Sequence, residues 1–165
     1  SGSSRGLGDV YKRQAVGDVI GPPWLAHVSS SEGLYVVEHI AKLSPKKIDY
    51  DCVPACTYSK PEIGSIGLSQ KILDERGIDY KVVKSFFNAN GKAVASDSTE
   101  GFIKILVSDR NQILGAHIIG SNATEMISEF SLAMSNNLSV ENILDSIHPH
   151  PTFSEAIFET LMQLR

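Results

Sequence analysis

The segment GFIKILVSDRNQILGAHIIG, from Gly101 to Gly120, decides the fold class. Its two halves, GFIKILVS and QILGAHIIG, are runs of the β-branched and aliphatic residues that suit strands. The residues between them, Asp-Arg-Asn, are typical of a turn. The segment therefore predicts an antiparallel hairpin.

The residues before this hairpin predict two more strands and a short helix. EIGSIGL is a short strand that contains glycines, and YKVVKSFF alternates as a strand does. Between them, Ser69 can accept a hydrogen bond as the N-cap of the helix QKILDERG, which Gly77 ends.

The residues after the hairpin predict helices only. Asn122 and Glu125 have capping-box spacing before MISEFSLAMSNN, Ser139 starts VENILDSI, and FSEAIFETLMQL follows near the end of the chain. Strands followed by helices indicate an antiparallel sheet with helices packed to one side, in the α+β class.

The first fifty residues differ from the rest. Residues 1–14 are small and polar without periodicity, and we expect a foreign or disordered leader there. From Ala15 the chain forms a glycine turn and then a predicted helix over 24–42, with Pro23 permissible in its first turn. LSPKKIDYD has the proline and charge of a linker.

Composition and charge narrow the function classes. The 165 residues carry a net charge of −4, with 42% hydrophobic and 21% charged residues, as in ordinary soluble domains. Nucleic-acid binding usually needs a basic face, so we expect no nucleic-acid partner. No apolar run approaches the ~20 residues of a membrane span, and no signal peptide is evident. We therefore expect no membrane association and a cytoplasmic location.

The two cysteines, Cys52 and Cys56, lie in CVPAC. Pro54 favours extended geometry for the residue before it. Extended residues four apart have Cα atoms roughly 13 Å apart, whereas a disulfide needs less than about 7 Å. We interpret both cysteines as small core or strand residues.

The segment HPHPTFSE, residues 148–155, carries the clearest chemistry. Pro151 fixes the backbone after His150, and Glu155 lies three residues after Thr152. In one interpretation, Glu155 completes a capping box with Thr152. In the other, its carboxylate binds one nitrogen of His150 and supports the charged form of the ring during proton transfer. The two are compatible because a carboxylate has two oxygens.

His148 is more typical of a partner or packing residue than of a base. No third ligand accompanies the two histidines, so we expect no metal site. The sequence also has no G-x-G-x-x-G motif for a dinucleotide.

Several segments together resemble one enzyme family. HPHPTFSE is similar to the H-x-H-P-T-x-S-E signature of dihydrolipoamide dehydrogenases, which are flavoprotein disulfide reductases. AVGDVIGPPWLAHVSSSEG resembles the end of that family's FAD domain, and YSKPEIGSIGLS and residues 88–134 resemble its interface domain. The resemblance implies a remnant of the FAD domain over 15–50 and an interface, or dimerisation, domain over 51–165.

The resemblance also implies roles for particular residues. His150 matches the family's acid–base histidine and Glu155 its partner. Asp18 matches an aspartate that binds FAD, and Leu25, Ala26 and His27 match a stretch that contacts the flavin mainly through backbone N–H groups.

The full-length enzymes of this family are homodimers that use FAD and NAD and act on lipoyl domains of 2-oxo acid dehydrogenase or glycine cleavage complexes. We expect the chain alone to be inactive and to hold no cofactor. Two alternatives stay open: the interface domain of a glutathione-reductase-like enzyme, or a stand-alone dimerisation module.

Overall fold

A computed structural model describes residues 14–165. The leader predicted over residues 1–14 lies outside the described residues except for Gln14. The chain divides into two compact units between Tyr50 and Asp51. None of the helices among residues 14–165 is both long enough and apolar enough to cross a bilayer.

The first unit contains a 3-10 turn at Gly17–Ile20 and helix α1 at Ala26–Ile40. The helix begins two residues after its predicted start because Leu25 is still extended, with φ −131° and ψ 129°. Pro23 therefore precedes the helix, and its carbonyl accepts a hydrogen bond from the Leu25 N–H at 3.0 Å. At the other end, Lys42 has left-handed backbone geometry and lies outside the helix.

A buried carboxylate joins these parts of the first unit. Glu32 of α1 is 7% exposed, and it accepts hydrogen bonds from the Gly17 N–H at 2.6 Å and the Tyr50 hydroxyl at 2.8 Å. The bond to Glu32 is the main cause that raises the pKa of the Tyr50 phenol. Two donors compensate for the burial of this carboxylate.

The second unit is built on a five-stranded antiparallel sheet. Its strands are β1 (Ala55–Thr57), β2 (Glu62–Gly67), β3 (Lys81–Phe86), β4 (Phe102–Val107) and β5 (Ile113–Gly120). The spatial order is β1-β2-β5-β4-β3, and every neighbouring pair is antiparallel. The predicted hairpin is confirmed as β4 and β5, which form the centre of the sheet.

Helices complete the second unit. They are α2 (Gln70–Arg76), α3 (Gly91–Ala95), α4 (Ala123–Ser135), α5 (Val140–Leu144) and α6 (Glu155–Leu161). α4 packs on β2 and β5, whereas α6 packs on β3 and β4. Because side chains alternate along a strand, Ile103 and Ile105 of β4 point to one face, and both are fully buried in the same core as Phe130 and Ile157. The predicted α+β class is confirmed.

Three of the predicted helix ends are present. The Ser69 side chain accepts from the Ile72 N–H, and Gly77 ends α2 in left-handed geometry with φ 62°. Ser139 and Asn142 form a reciprocal capping box at the start of α5.

The capping box predicted for Asn122 and Glu125 is wrong. Asn122 has left-handed geometry, with φ 61°, and its side chain makes no capping bond. Glu62 of β2 takes this role instead, accepting from the N–H and hydroxyl of Thr124 at 3.1 and 2.8 Å. The helix start lies directly on β2, where a Cβ on Gly64 would be 2.5 Å from the Ala123 carbonyl oxygen.

The last helix also begins later than predicted. α6 starts at Glu155 rather than Phe153, and Ser154 precedes it without a side-chain cap. The Thr152 hydroxyl does not cap the helix, because it donates to the Pro149 carbonyl at 2.7 Å.

Candidate active site

The connection between α5 and α6 carries the histidine pair. His150 Nδ1 lies 2.8 Å from Glu155 Oε1, and the peptide bond between His150 and Pro151 is cis. The Thr152 N–H donates to Glu155 Oε2, also at 2.8 Å. Each carboxylate oxygen of Glu155 therefore makes one of the two predicted contacts, to His150 and to the Thr152 N–H, but the capping box is incomplete because the Thr152 hydroxyl does not cap the helix.

The electrostatics of the pair decide which atom donates. The Thr152 N–H and, second to it, the His150 ring lower the pKa of the Glu155 carboxyl. The carboxylate is therefore ionised near neutral pH and can only accept hydrogen bonds. It follows that His150 Nδ1 carries a hydrogen and is the donor in the hydrogen bond to Glu155 Oε1.

The other ring nitrogen of His150 is open. The side chain is 78% exposed, and within residues 14–165 Nε2 has no hydrogen-bond partner. When Nδ1 is protonated, neutral imidazole offers Nε2 as its proton acceptor. The pair therefore presents Nε2 of His150 to solvent as a proton acceptor. The bond from His150 to Glu155, and the bond from the Thr152 N–H to Glu155, fix the position of the ring.

His148 occupies a different environment. Its side chain is 8% exposed, and its Nε2 lies 2.9 Å from Glu129 Oε1 on α4. The ring also packs against Phe158, with centroids 6.0 Å apart, and Nδ1 lies 3.2 Å from the Ser146 carbonyl oxygen. These contacts confirm the prediction that His148 is a partner and packing residue.

The predicted flavin contacts lie in the first unit. Asp18 is exposed on the 3-10 turn, and its carbonyl accepts from the Gly21 N–H at 3.2 Å. Leu25 precedes α1, and Ala26 and His27 are its first two residues. The first N–H groups of a helix lack intrahelical acceptors, so the start of α1 can offer backbone donors to a ligand, although the Leu25 N–H already donates to the Pro23 carbonyl.

Neither cysteine forms a disulfide. Cys56 lies in β1 against the core, as predicted, whereas Cys52 ends a short 3-10 helix. Burial, followed by Glu62 and Glu125, raises the pKa of the Cys56 thiol. A raised thiol pKa disfavours the reactive thiolate. Residues 14–165 also contain no cluster of three side chains suited to a metal ion.

Sequence reasoning missed two residues that contact this loop. Glu129 pairs with His148, and the Asn90 side chain donates to the Thr152 carbonyl. They precede their partners by 19 and 62 residues. Asn90 had a local signal, because Asn before a short helix is a favoured N-cap, but nothing local indicated its second contact.

Comparisons with known proteins agree on one family. The family model described as pyridine nucleotide-disulphide oxidoreductase, dimerisation domain, matches residues 53–161. The dihydrolipoyl dehydrogenase of Bacillus subtilis (strain 168) is 45% identical over 149 residues, which cover 90% of this chain and 31% of that protein. The mitochondrial dihydrolipoyl dehydrogenase of Caenorhabditis elegans is 45% identical over 146 residues, with 88% and 29% coverage. The chain therefore spans under a third of the length of these relatives.

Solved structures show the same fold. LpdA from Mycobacterium tuberculosis aligns with a TM-score of 0.86 at 24% identity, over 91% of this chain and 33% of that one. The HOCl-induced flavoprotein disulfide reductase RclA from Escherichia coli aligns with a TM-score of 0.81 at 25% identity, over 91% and 35%.

Proposed function

The chain belongs to the family of pyridine nucleotide-disulphide oxidoreductase dimerisation domains, and we propose that it is the C-terminal part of a dihydrolipoamide dehydrogenase. Its relatives at 45% identity carry that activity in their names. Such an enzyme removes two electrons and two protons from the thiols of dihydrolipoamide to form a disulfide. NAD⁺ takes up both electrons and one proton, and the second proton goes to solvent.

In this proposal His150 is the acid–base residue. A free thiol has a pKa of about 8.5, so forming a thiolate near neutral pH requires a positioned base. Nε2 of His150 would accept the proton while Nδ1 keeps its bond to Glu155. The pair then becomes an imidazolium hydrogen-bonded to a carboxylate, a charge-assisted interaction stronger than a neutral one. The single observation that carries the role is the 2.8 Å contact between Nδ1 and Oε1.

The exposure of His150 supports a site completed by other parts of a longer protein. General bases act best where water is excluded, yet this ring is 78% exposed. We assign residues 15–50 to the end of an FAD domain and 51–165 to the interface domain. The division between Tyr50 and Asp51 supports that boundary.

FAD fits the donors that the first unit presents. Asp18 would accept a hydrogen bond from the cofactor, and the stretch from Leu25 to His27 would lie against it. The Ala26 N–H would be the backbone donor, because the Leu25 N–H already donates to the Pro23 carbonyl. When bound, FAD relays electrons between a cysteine pair and NAD. We propose a homodimer whose substrates are the lipoyl domains of a 2-oxo acid dehydrogenase or glycine cleavage complex.

A dimerisation module without activity is the second candidate. The second unit has its own core, yet it exposes 64% of Leu132 and 98% of Ile147. Single exposed apolar side chains are common on protein surfaces, so this candidate is supported mainly by the match to a dimerisation-domain family. Sedimentation at micromolar concentration tests this candidate: we expect a dimer, and a clean monomer would count against it.

A chimera tests the enzymatic role. The chain would replace the matching 149-residue segment of the Bacillus subtilis enzyme, and lipoamide-dependent turnover would be measured. We expect an active chimera that retains FAD, and His150→Gln should lower its turnover ~10²-fold or more. His39→Gln, at an exposed helix position, serves as the matched control. Near-normal turnover in the His150 variant would contradict the assignment.

A further inference from the structure

Asn90 is one of the few polar residues buried in the second unit. It is 1% exposed, and both the oxygen and the nitrogen of its side-chain amide form hydrogen bonds. Oδ1 accepts from the Ala93 N–H at 2.9 Å, which caps α3. Nδ2 donates to the Thr152 carbonyl at 3.1 Å. The first bond is local, whereas the second spans 62 residues and reaches the loop that carries His150.

We infer that Asn90 is a positioning residue for the His150–Glu155 pair, acting through its side-chain bond to Thr152; the inference rests on the function proposed above. Three hydrogen bonds make the connection, linked through the backbone of Thr152 and the side chain of Glu155. Asn90 holds the carbonyl of Thr152, the N–H of Thr152 binds Glu155 Oε2, and Glu155 Oε1 binds His150 Nδ1. Asn90 touches none of the reacting atoms.

An aromatic contact places the two segments side by side. Phe87 is fully buried and Phe153 is 8% exposed, and their rings meet edge to face with centroids 6.0 Å apart. Phe87 lies three residues before Asn90, and Phe153 directly follows Thr152. This packing holds the loop that carries His150 against the segment from Phe87 to Asn90. The directional bond from Asn90 then fixes the orientation of the peptide group between Thr152 and Phe153.

The two bonds of Asn90 can be separated by substitution. Serine is as good an N-cap as asparagine, so Asn90→Ser keeps an acceptor for the Ala93 N–H. Its shorter side chain cannot reach the Thr152 carbonyl. Asn90→Ala removes both bonds. Neither variant adds a charge near His150, so a change at the ring does not reflect a new electrostatic interaction.

In hydrogen exchange followed by NMR, the Ala93 amide reports its own bond to Asn90. The Thr152 amide reports the bond to Glu155 that Asn90 is inferred to support. In Asn90→Ser we expect exchange of the Thr152 amide to accelerate about tenfold, which corresponds to about 1.4 kcal/mol, while the Ala93 amide stays protected. In Asn90→Ala both amides should exchange faster. The His150 ring ¹⁵N signals should also shift in both variants, away from the form protonated at Nδ1. A role restricted to capping α3 would leave the His150 signals of Asn90→Ser unchanged.

A further substitution keeps the test valid if serine leaves a void that destabilises the whole domain. Asn90→Asp fills nearly the same volume and keeps the cap, but its carboxylate cannot donate to Thr152. Asn142→Asp controls for the change from amide to carboxylate at an exposed cap, since the Asn142 side chain only accepts, from Ser139. Faster Thr152 exchange in Asn90→Asp but not in Asn142→Asp supports the inference.

An unchanged Thr152 amide together with unchanged His150 signals, in Asn90→Ser or Asn90→Asp, overturns the inference. That result would leave the proposed role of His150 intact. Conversely, normal turnover of the His150→Gln chimera would reject the role proposed for His150 without altering the exchange result.

Discussion

Phe153→Ala tests how strongly packing holds the loop that ends in Glu155. An aromatic side chain buries about 150–250 Å², and Phe153 is only 8% exposed. At about 25 cal/mol per Å² this burial amounts to roughly 3.5–6 kcal/mol, an upper estimate because unfolded chains already bury some surface. Measured Phe→Ala changes in cores cost about 3–5 kcal/mol. We expect a loss of about 3–4 kcal/mol in the free energy of unfolding.

Urea unfolding followed by circular dichroism measures this loss. With a slope of about 1–3 kcal/mol per M, the midpoint should fall by at least about 1 M. Phe86→Ala is the matched control, because Phe86 also pairs with an aromatic ring, that of Phe102, yet is 55% exposed. We expect it to cost under about 1 kcal/mol. Equal losses in the two variants, or a loss below 1 kcal/mol for Phe153→Ala, would refute the packing argument.

Three further predictions follow from particular contacts. Gly64→Ala should destabilise the domain by about 1–3 kcal/mol, because the new methyl group meets the Ala123 carbonyl oxygen; an unchanged urea midpoint would show that α4 can shift away. The pKa of Glu155 is lowered in the folded chain, so its stabilising effect is present above the unfolded pKa of about 4.3 and is lost as pH falls through the folded value. Glu155→Gln should therefore be less stable than wild type at pH 7, and the difference in stability should narrow as pH falls below about 4.3; a difference that persists in strong acid would contradict this. Finally, the purified chain should be colourless, since a hydrogen bond to Asp18 supplies about 1.5–3 kcal/mol whereas micromolar affinity for FAD needs about 8; flavin absorbance that survives gel filtration would contradict that expectation.

Sequence reasoning succeeded where the signal was local. The turn chemistry between Val107 and Ile113 predicts the central hairpin, and Ser69 and Gly77 predict both ends of α2. It failed where a distant residue replaced the local one. Asn122 had the right spacing for a cap, but Glu62 takes over that role. Glu62 is distant in sequence and lies on the neighbouring strand, paired with Gly120.

The contacts of the candidate site also fall into local ones, which the sequence predicted, and distant ones, which it did not. Thr152, Glu155 and His150 lie within six residues, so their spacing alone predicted both contacts of Glu155. The contacts of Asn90 and Glu129 depend on how α3 and α4 pack against the loop. No periodicity or spacing encodes that packing, so these residues became visible only in the folded chain.

A comparison of two reactions of the chimera tests the role of His150 most directly. Oxidation of dihydrolipoamide requires a proton to leave a thiol, whereas oxidation of NADH by an artificial electron acceptor does not. If His150 is the base, His150→Gln lowers the first rate ~10²-fold or more and leaves the second rate within about twofold of the parent chimera. Equal losses in both reactions, or no loss in the first, would contradict the assignment of His150 as the residue that takes the substrate proton.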